Sequence, residues 1–475
     1  MSSLSFRPHS LLKDIRFWIL FFLLLHLYGI TFPPLETGHN WRQSIVNMVA
    51  RNFLEVNANI FFPRVDMAGS NPGISGMELP LLNYLIYLVA SVFGWEHWYG
   101  RAIVLLSSSV GTLFFHRTVR KLFDRELALY ASLILLSSIW YSYSRKVMPD
   151  IFACSLVMIA YYHGLRFLEK SKGYKDLLLY GGLGTLGVLA KLPAGFLFVL
   201  FIPFFFSPRS PGSRRRVITA VSGCMLIPVL AWYFWWVPYL VDTYGAWSFP
   251  MSRDLGTGAA ELLERWPTVL KRFYSDAIKY IGFFCYLGGI VLAFIRKERK
   301  LLVALGIGIP AFLLFMIKAG VQFPKHDYYV APFVPLMALL AAYFIERLPR
   351  PRWIGGLLLT AIVVEGVANR YHTVRLHEKH RELIELEADM EKISDPGDLI
   401  MVNSGRNPTP LYFAHRKGWL ANNKRIKERS YLKEHIQKGC EYLLILKKSF
   451  TGPVEPPLGE KVLEKPAYVI YELRE

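Results

Sequence analysis

Leu35-Glu36-Thr37-Gly38-His39-Asn40-Trp41-Arg42-Gln43 follows directly on an apolar block that runs from Phe17 to Leu35. A block of that length is long enough to cross a bilayer. It delivers a carboxylate, a histidine and an arginine to the segment that emerges from it. Basic residues at Arg7, Lys13 and Arg16 precede the block, and it lacks a small-residue cleavage site. It therefore reads as a retained helix with its amino end in the cytoplasm rather than a signal peptide.

Further apolar blocks recur as far as Tyr371. With 53% hydrophobic residues and a mean hydropathy of +0.29, the chain is richer in apolar residues than soluble domains are, and it gathers them in blocks. An integral membrane protein follows. The formal charge of +19 does not signal nucleic acid, because the lysines and arginines sit mostly in short loops where they set topology. Cys154, Cys224, Cys285 and Cys440 are too scattered for a disulfide framework or a zinc knuckle.

Basic loops at 117–125, 166–175, 209–216, 296–300 and 347–352 belong together on the cytoplasmic side by the positive-inside rule. That parity requires one block not to cross. The short stretch Leu79–Gly94, opened by Pro80 and closed by Trp95-Glu96-His97-Trp98, is expected to lie in the outer interface. About eleven spanning helices result, each of roughly bilayer length. Residues 35–100, 145–149, the Lys191 turn, 237–277, 318–325 and everything beyond 371 then face outward. A twelve-span path would place all five basic loops outside.

Trp41, Ile45, Met48, Val49, Phe53 and Val56 recur at helical spacing, which predicts an amphipathic helix on the outer surface. After Tyr371 a charged helix carries Leu383, Leu386 and Met390. A turn at 395–398 and strand-like runs at 399–402, 442–446 and 468–471 follow. Two domains are expected: residues 1–371 as a transmembrane module whose first outer loop, 35–78, carries the active-site carboxylate, and residues 372–475 as a small extracytoplasmic α/β domain. Tyr412, Arg416 and Trp419 in that tail read as core residues before they read as contacts.

Ionisable groups at membrane depth are costly and point to function. The expected topology gathers Glu36, His39, Arg42, Asp66, Glu78, Arg145, Lys146, Asp150, Lys191, Lys325, His326 and Asp327 on the outer side. Cations in a partly dry setting suit a phosphate, and a carboxylate suits proton removal from a hydroxyl. Helix flanking explains Arg145 and Lys146 equally well, and helix capping explains Asp150. Lys191 lies alone between two apolar runs.

Several of these motifs occur together in one family. Gly38-His39-Asn40-Trp41-Arg42-Gln43 followed by Ala50-Arg51-Asn52-Phe53, Met77-Glu78-Leu79-Pro80-Leu81, Ser144-Arg145-Lys146-Val147-Met148-Pro149-Asp150 and Leu189-Ala190-Lys191-Leu192-Pro193 resemble recurring features of family 39 type glycosyltransferases of the GT-C class. Their relatives include protein O-mannosyltransferases and aminoarabinose transferases. His326-Asp327-Tyr328-Tyr329 with Pro332, and Leu411–Trp419, extend the likeness over nearly the whole chain.

The resemblance implies a polytopic α-helical GT-C fold with a small C-terminal α/β domain in the plasma (inner) membrane. The implied activity moves a sugar from a polyprenyl-phosphate donor to a lipid, glycan or protein acceptor on the extracytoplasmic face, with inversion. Glu36 falls where the family places its catalytic base, with Asp66 as the second candidate. Asp150 would orient the loop or acceptor, and Lys191 with Arg145 would hold the donor phosphate. His39, Arg42, Glu78, His326, Tyr328 and Tyr329 are candidate substrate contacts. No cofactor is required. Glu78 with a histidine binds a divalent metal in some relatives, but no histidine partner is identifiable here, so no metal is assigned. The rival readings are a transporter or lipid flippase, which the lack of an inverted repeat disfavours, and a noncatalytic glycan-assembly subunit with the same fold.

Overall fold

The computed structural model describes residues 11–169, 173–205, 211–245, 252–347, 351–374, 376 and 378–474. Arg7, Arg209 and parts of the basic loops 166–175, 209–216 and 347–352 lie outside the described residues. Two compact units form. One is Met1–Ile30 with Arg101–Tyr233 and Pro250–Tyr371; the other is Thr31–Gly100 with Phe234–Phe249 and His372–Glu475. The second unit takes in Thr31–Gly100 as well as His372–Glu475.

Five helices among the described residues are long and apolar enough to cross a membrane: Tyr99–Leu122, Pro149–Glu169, Gly212–Tyr244, Arg299–Ala319 and Asp327–Arg347. Trp266–Ala277 and Lys279–Ile295 would make a sixth as a pair bent by 100°. The protein is thus a multi-pass membrane protein. Several other expected spans are shorter. The first apolar block is helical only over Ile15–Leu27, about 20 Å at 1.5 Å per residue, against a hydrocarbon core of about 30 Å. Gly29 has φ +64°, and Pro33 and Pro34 lack the N–H that would carry the helix on. Past Lys191 the apolar run breaks into Leu192–Gly195, Phe196–Val199 and Ile202–Phe205, with Pro193 and Pro203 interrupting it.

Small residues let these helices approach closely. A Cβ on Gly289 would lie 2.0 Å from the Leu340 carbonyl oxygen, and one on Gly366 would lie 2.1 Å from that of Ser137. Glu365 accepts from the amides of Tyr280 and Ile281 at 3.3 and 3.1 Å. Its carboxylate thereby meets the otherwise unpaired N–H groups at the start of Lys279–Ile295.

In the second unit the helix Asn40–Glu55 forms where periodicity predicts it, but it is not a surface helix. Arg42 to Arg51 are all buried. Apolar Ile45, Met48, Val49 and Phe53 join one core with Leu383, Leu386, Met390 and Leu411, while Arg42, Ser44, Asn47 and Arg51 find partners in the same unit. The helix Leu81–Phe93 packs beside it. At 13 residues that helix is too short to span.

The tail folds as a five-stranded sheet. β1 (Leu399–Val402), β2 (Gly418–Leu420), β3 (Cys440–Leu446), β4 (Glu460–Glu464) and β5 (Tyr468–Glu472) stand in the order β2-β1-β3-β5-β4. β1 runs parallel to β2 and β3, and β5 runs antiparallel to β3 and β4. Alternation sorts the side chains: Ile400, Val402, Leu444, Leu446 and Ile470 enter the core shared with Asn40–Glu55, whereas Met401, Leu443, Ile445 and Val469 face Ile426 and Leu432. The short β2 and the polar β4 carried no clear alternation in sequence. The expected charged helix is a 3₁₀ segment, Glu378–Glu385, running into Leu386–Met390.

Candidate functional site

In the first unit, Arg145 and Lys146 occupy the turn between the helix Ile139–Tyr143 and the helix Pro149–Glu169. Pro149 opens the second helix, where its missing N–H costs nothing, and this places Asp150 in the first turn. Lys191 is in extended conformation at the end of Tyr174–Ala190, just where Pro193 ends that run. All four side chains are buried, at 4%, 4%, 7% and 5% exposure for Arg145, Lys146, Asp150 and Lys191.

Lys191 Nζ lies 3.8 Å from Asp150 Oδ1. That is too long for a hydrogen bond but close for two charges away from water. Asp150 Oδ2 is buried without a hydrogen-bond partner, a costly arrangement for a carboxylate. Both residues line a small cavity with Cys154, Tyr328, Tyr329 and Pro332. Arg145 donates from Nη2 to the Gly29 carbonyl.

An aromatic group adjoins them. Tyr143 donates its hydroxyl to Asp327 Oδ1 at 2.5 Å, and the Tyr328 amide donates to the same oxygen at 3.0 Å. Lys146 Nζ sits 5.1 Å from the Tyr143 ring centroid. His326 lies 5.4 Å from both Tyr328 and Tyr329. Cations, two aspartates and polar-tipped aromatic rings therefore converge in one apolar unit. That combination suits an anion carrying a polyhydroxylated group.

In the second unit, Glu36 is 1% exposed and its backbone bridges Leu376. Gly38 (φ +78°) and His39 (φ +56°) then turn the chain into Asn40–Glu55; His39 is a non-glycine residue in the left-handed region, a costly conformation. Arg42 and Glu78 form a buried ion pair, with side-chain exposures of 4% and 9%. A cation in the first turn opposes the helix dipole, and the Glu78 carboxylate offsets it. Glu78 thus partners an arginine, and among the described residues no group of three His, Cys, Asp or Glu could hold a metal ion.

Asp66 is 3.7 Å from Arg51 and accepts from Asn52 Nδ2 at 2.7 Å. Burial holds its pKa above the ordinary carboxylate value, against the opposing pull of Arg51 and Asn52. Arg51 also donates to the Tyr412 carbonyl and stacks 4.7 Å over its ring. The Tyr412 hydroxyl meets His97 Nδ1 at 2.6 Å. His415 bridges Glu387 at 2.6 Å and Glu55 at 2.9 Å. Burial works against its charged form, but the two carboxylates carry the pKa up to about 9.

Of the residues singled out from sequence, Arg145, Asp150, Lys191, His326, Tyr328 and Tyr329 fall in the first unit, and Glu36, His39, Arg42, Asp66 and Glu78 in the second. Tyr143 escaped sequence reading, since its partner Asp327 lies 184 residues on. Its one signal is a polar tip inside Trp140-Tyr141-Ser142-Tyr143, just before Arg145.

Residues 75–235 match the family model described as dolichyl-phosphate-mannose-protein mannosyltransferase. No curated protein matches the chain by sequence. Among solved structures, ArnT from Cupriavidus metallidurans bound to undecaprenyl phosphate is similar, with 12% identity and a TM-score of 0.63 over 96% of this chain and 98% of that one. Its apo state gives 13% identity and 0.64 over 96% and 97%. The Archaeoglobus fulgidus oligosaccharyltransferase in the apo form gives 12% identity and 0.57 over 90% of this chain and 69% of that one. The chain therefore shares the fold of ArnT and of the archaeal oligosaccharyltransferase.

Proposed function

We propose that the protein is a membrane glycosyltransferase that moves a sugar from a polyprenyl-phosphate donor to a lipid, glycan or protein acceptor. The observation that carries this reading is the buried Lys191–Asp150 pair, 3.8 Å apart, with Arg145 and Lys146 buried in the turn before Asp150. The family-model match and the undecaprenyl phosphate bound in the crystal structure of ArnT point the same way.

Lys191 and Arg145 neutralise the donor phosphate and so improve it as a leaving group. Asp150 orients Lys191, while Tyr143, His326, Tyr328 and Tyr329 contact the donor. Glu36 takes the proton of an acceptor hydroxyl, and a single displacement inverts the anomeric carbon. Asp66, engaged with Arg51 and Asn52, is the second candidate for that role. The reaction as proposed calls on no metal or other cofactor. The protein resides in the plasma (inner) membrane with its amino terminus cytoplasmic and its tail extracytoplasmic, in accord with its five basic loops.

The test is transfer from a panel of labelled polyprenyl-phosphate sugars to membrane extracts by the full chain in nanodiscs. Transfer by wild type that is lost in both Lys191→Met and Glu36→Gln supports the assignment. Loss in Asp66→Asn but not Glu36→Gln moves the base. No transfer and no donor binding by wild type overturns the reading in favour of transport or assembly.

A further inference from the structure

A second cavity in the first unit lies away from the Asp150–Lys191 pair and shares no lining residue with it. Its volume is about 90 Å³, against about 10 Å³ for the cavity at Asp150 and Lys191. Val119, Met158, Leu197, Ala304 and Leu336 contribute to its almost wholly apolar wall. Met158 and Tyr161 lie on the helix that Asp150 begins. At 1.5 Å per residue they are about 12 and 16 Å farther along it.

Two polar features interrupt the apolar wall. Lys300, exposed, stands at the mouth, where it donates to the Leu122 carbonyl and sits 5.1 Å from the Phe123 ring. Thr118 is 9% exposed, and its buried hydroxyl has no hydrogen-bond partner. A helical threonine ordinarily satisfies itself on a preceding carbonyl, and a buried hydroxyl left unmatched is costly. The segments that carry the mouth are strongly basic: 117–125 and 296–300 hold four cations and one carboxylate each.

We propose that this cavity binds an anionic glycerophospholipid of the leaflet faced by those basic loops. An acyl chain fills the apolar wall, an ester carbonyl accepts from Thr118, and the phosphate meets Lys300 within the basic rim. Charge complementarity selects the occupant. A zwitterionic lipid fills the same wall, but the basic rim repels its headgroup cation, and the Lys300 contact with a net anionic headgroup is worth about 1 kcal/mol, or about fivefold in affinity.

The experiment places the full chain in phosphatidylcholine nanodiscs doped with photoactivatable phosphatidylglycerol or, separately, photoactivatable phosphatidylcholine, and maps the crosslinks by mass spectrometry. Crosslinks from phosphatidylglycerol on peptides carrying Thr118–Phe123 and Lys300–Ala304, about fivefold above those from phosphatidylcholine, are expected. Lys300→Glu, an exposed change that leaves the wall intact, should remove the preference. Ala304→Trp should remove crosslinking with either lipid. Equal labelling by the two lipids in wild type, or a preference untouched by Lys300→Glu, overturns the proposal. So does displacement of the label by added undecaprenyl phosphate, which would assign the cavity to a polyprenyl chain.

Discussion

Asp150 and Lys191 set the terms at the scale of single residues. Breaking a buried ion pair leaves one charge uncompensated, a loss of about 3–5 kcal/mol. Asp150→Ala should therefore lower the thermal stability of the full chain, whereas the double change Asp150→Asn with Lys191→Met should recover most of that loss while donor binding stays weak. Thermal melts and undecaprenyl-phosphate binding in nanodiscs separate the two effects; equal donor binding by wild type and the double variant would remove Lys191 from the phosphate site. His415 offers a pH-dependent counterpart. Its pKa rises from the ordinary 6.5 to about 9, so the stability it contributes is fully present below about pH 6.5 and is lost as pH climbs through 9. Glu387, hydrogen-bonded to His415, is shifted down, so its share persists until pH falls through its lowered pKa. His415→Ala should therefore melt lower than wild type at pH 7 and indistinguishably from it near pH 10, and a constant gap across that range would contradict the assignment.

At the scale of elements, close approach is the recurring device. A side chain on Gly289 would strike the Leu340 backbone, so Gly289→Leu should force the helices Lys279–Ile295 and Val334–Arg347 apart and cost roughly 3 kcal/mol or more. A melting temperature equal to wild type would show that the pair can slide. Gly418 plays the same part in the sheet. It pairs with Ile400 between β1 and β2, and a Cβ there would lie 1.7 Å from the Ile400 carbonyl oxygen. Gly418→Ala should loosen β2, read as faster amide exchange at Trp419 and Leu420. The helix Asn40–Glu55 illustrates what a pattern leaves out. Its apolar stripe was legible at helical spacing, but Arg42, Asn47 and Arg51 on the polar face have partners at Glu78, His97 and Tyr412, so the face that looked solvated is buried.

For the whole molecule, the basic loops and the apolar helices make one joint statement about topology. With Cys224 replaced by serine, cysteines introduced at Lys297 and at Glu441, both exposed, should be labelled from opposite sides of a sealed membrane by an impermeant thiol reagent. Labelling of both from one side would overturn the parity inferred from the charges. The sequence by itself determined the membrane class, the helical body with a small α/β tail and the isolated charges Arg145, Asp150 and Lys191. Hydropathy and charge are properties of consecutive residues, and a cation inside an apolar run is conspicuous without coordinates. Only the tertiary structure decided the pairings: Arg42 with Glu78 across 36 residues, Tyr143 with Asp327 across 184, and the five-stranded order β2-β1-β3-β5-β4. It also decided that Thr31–Gly100 clusters with the tail. Each depends on which distant segments bury one another's surfaces, and burial between segments far apart in the chain leaves no trace in local spacing.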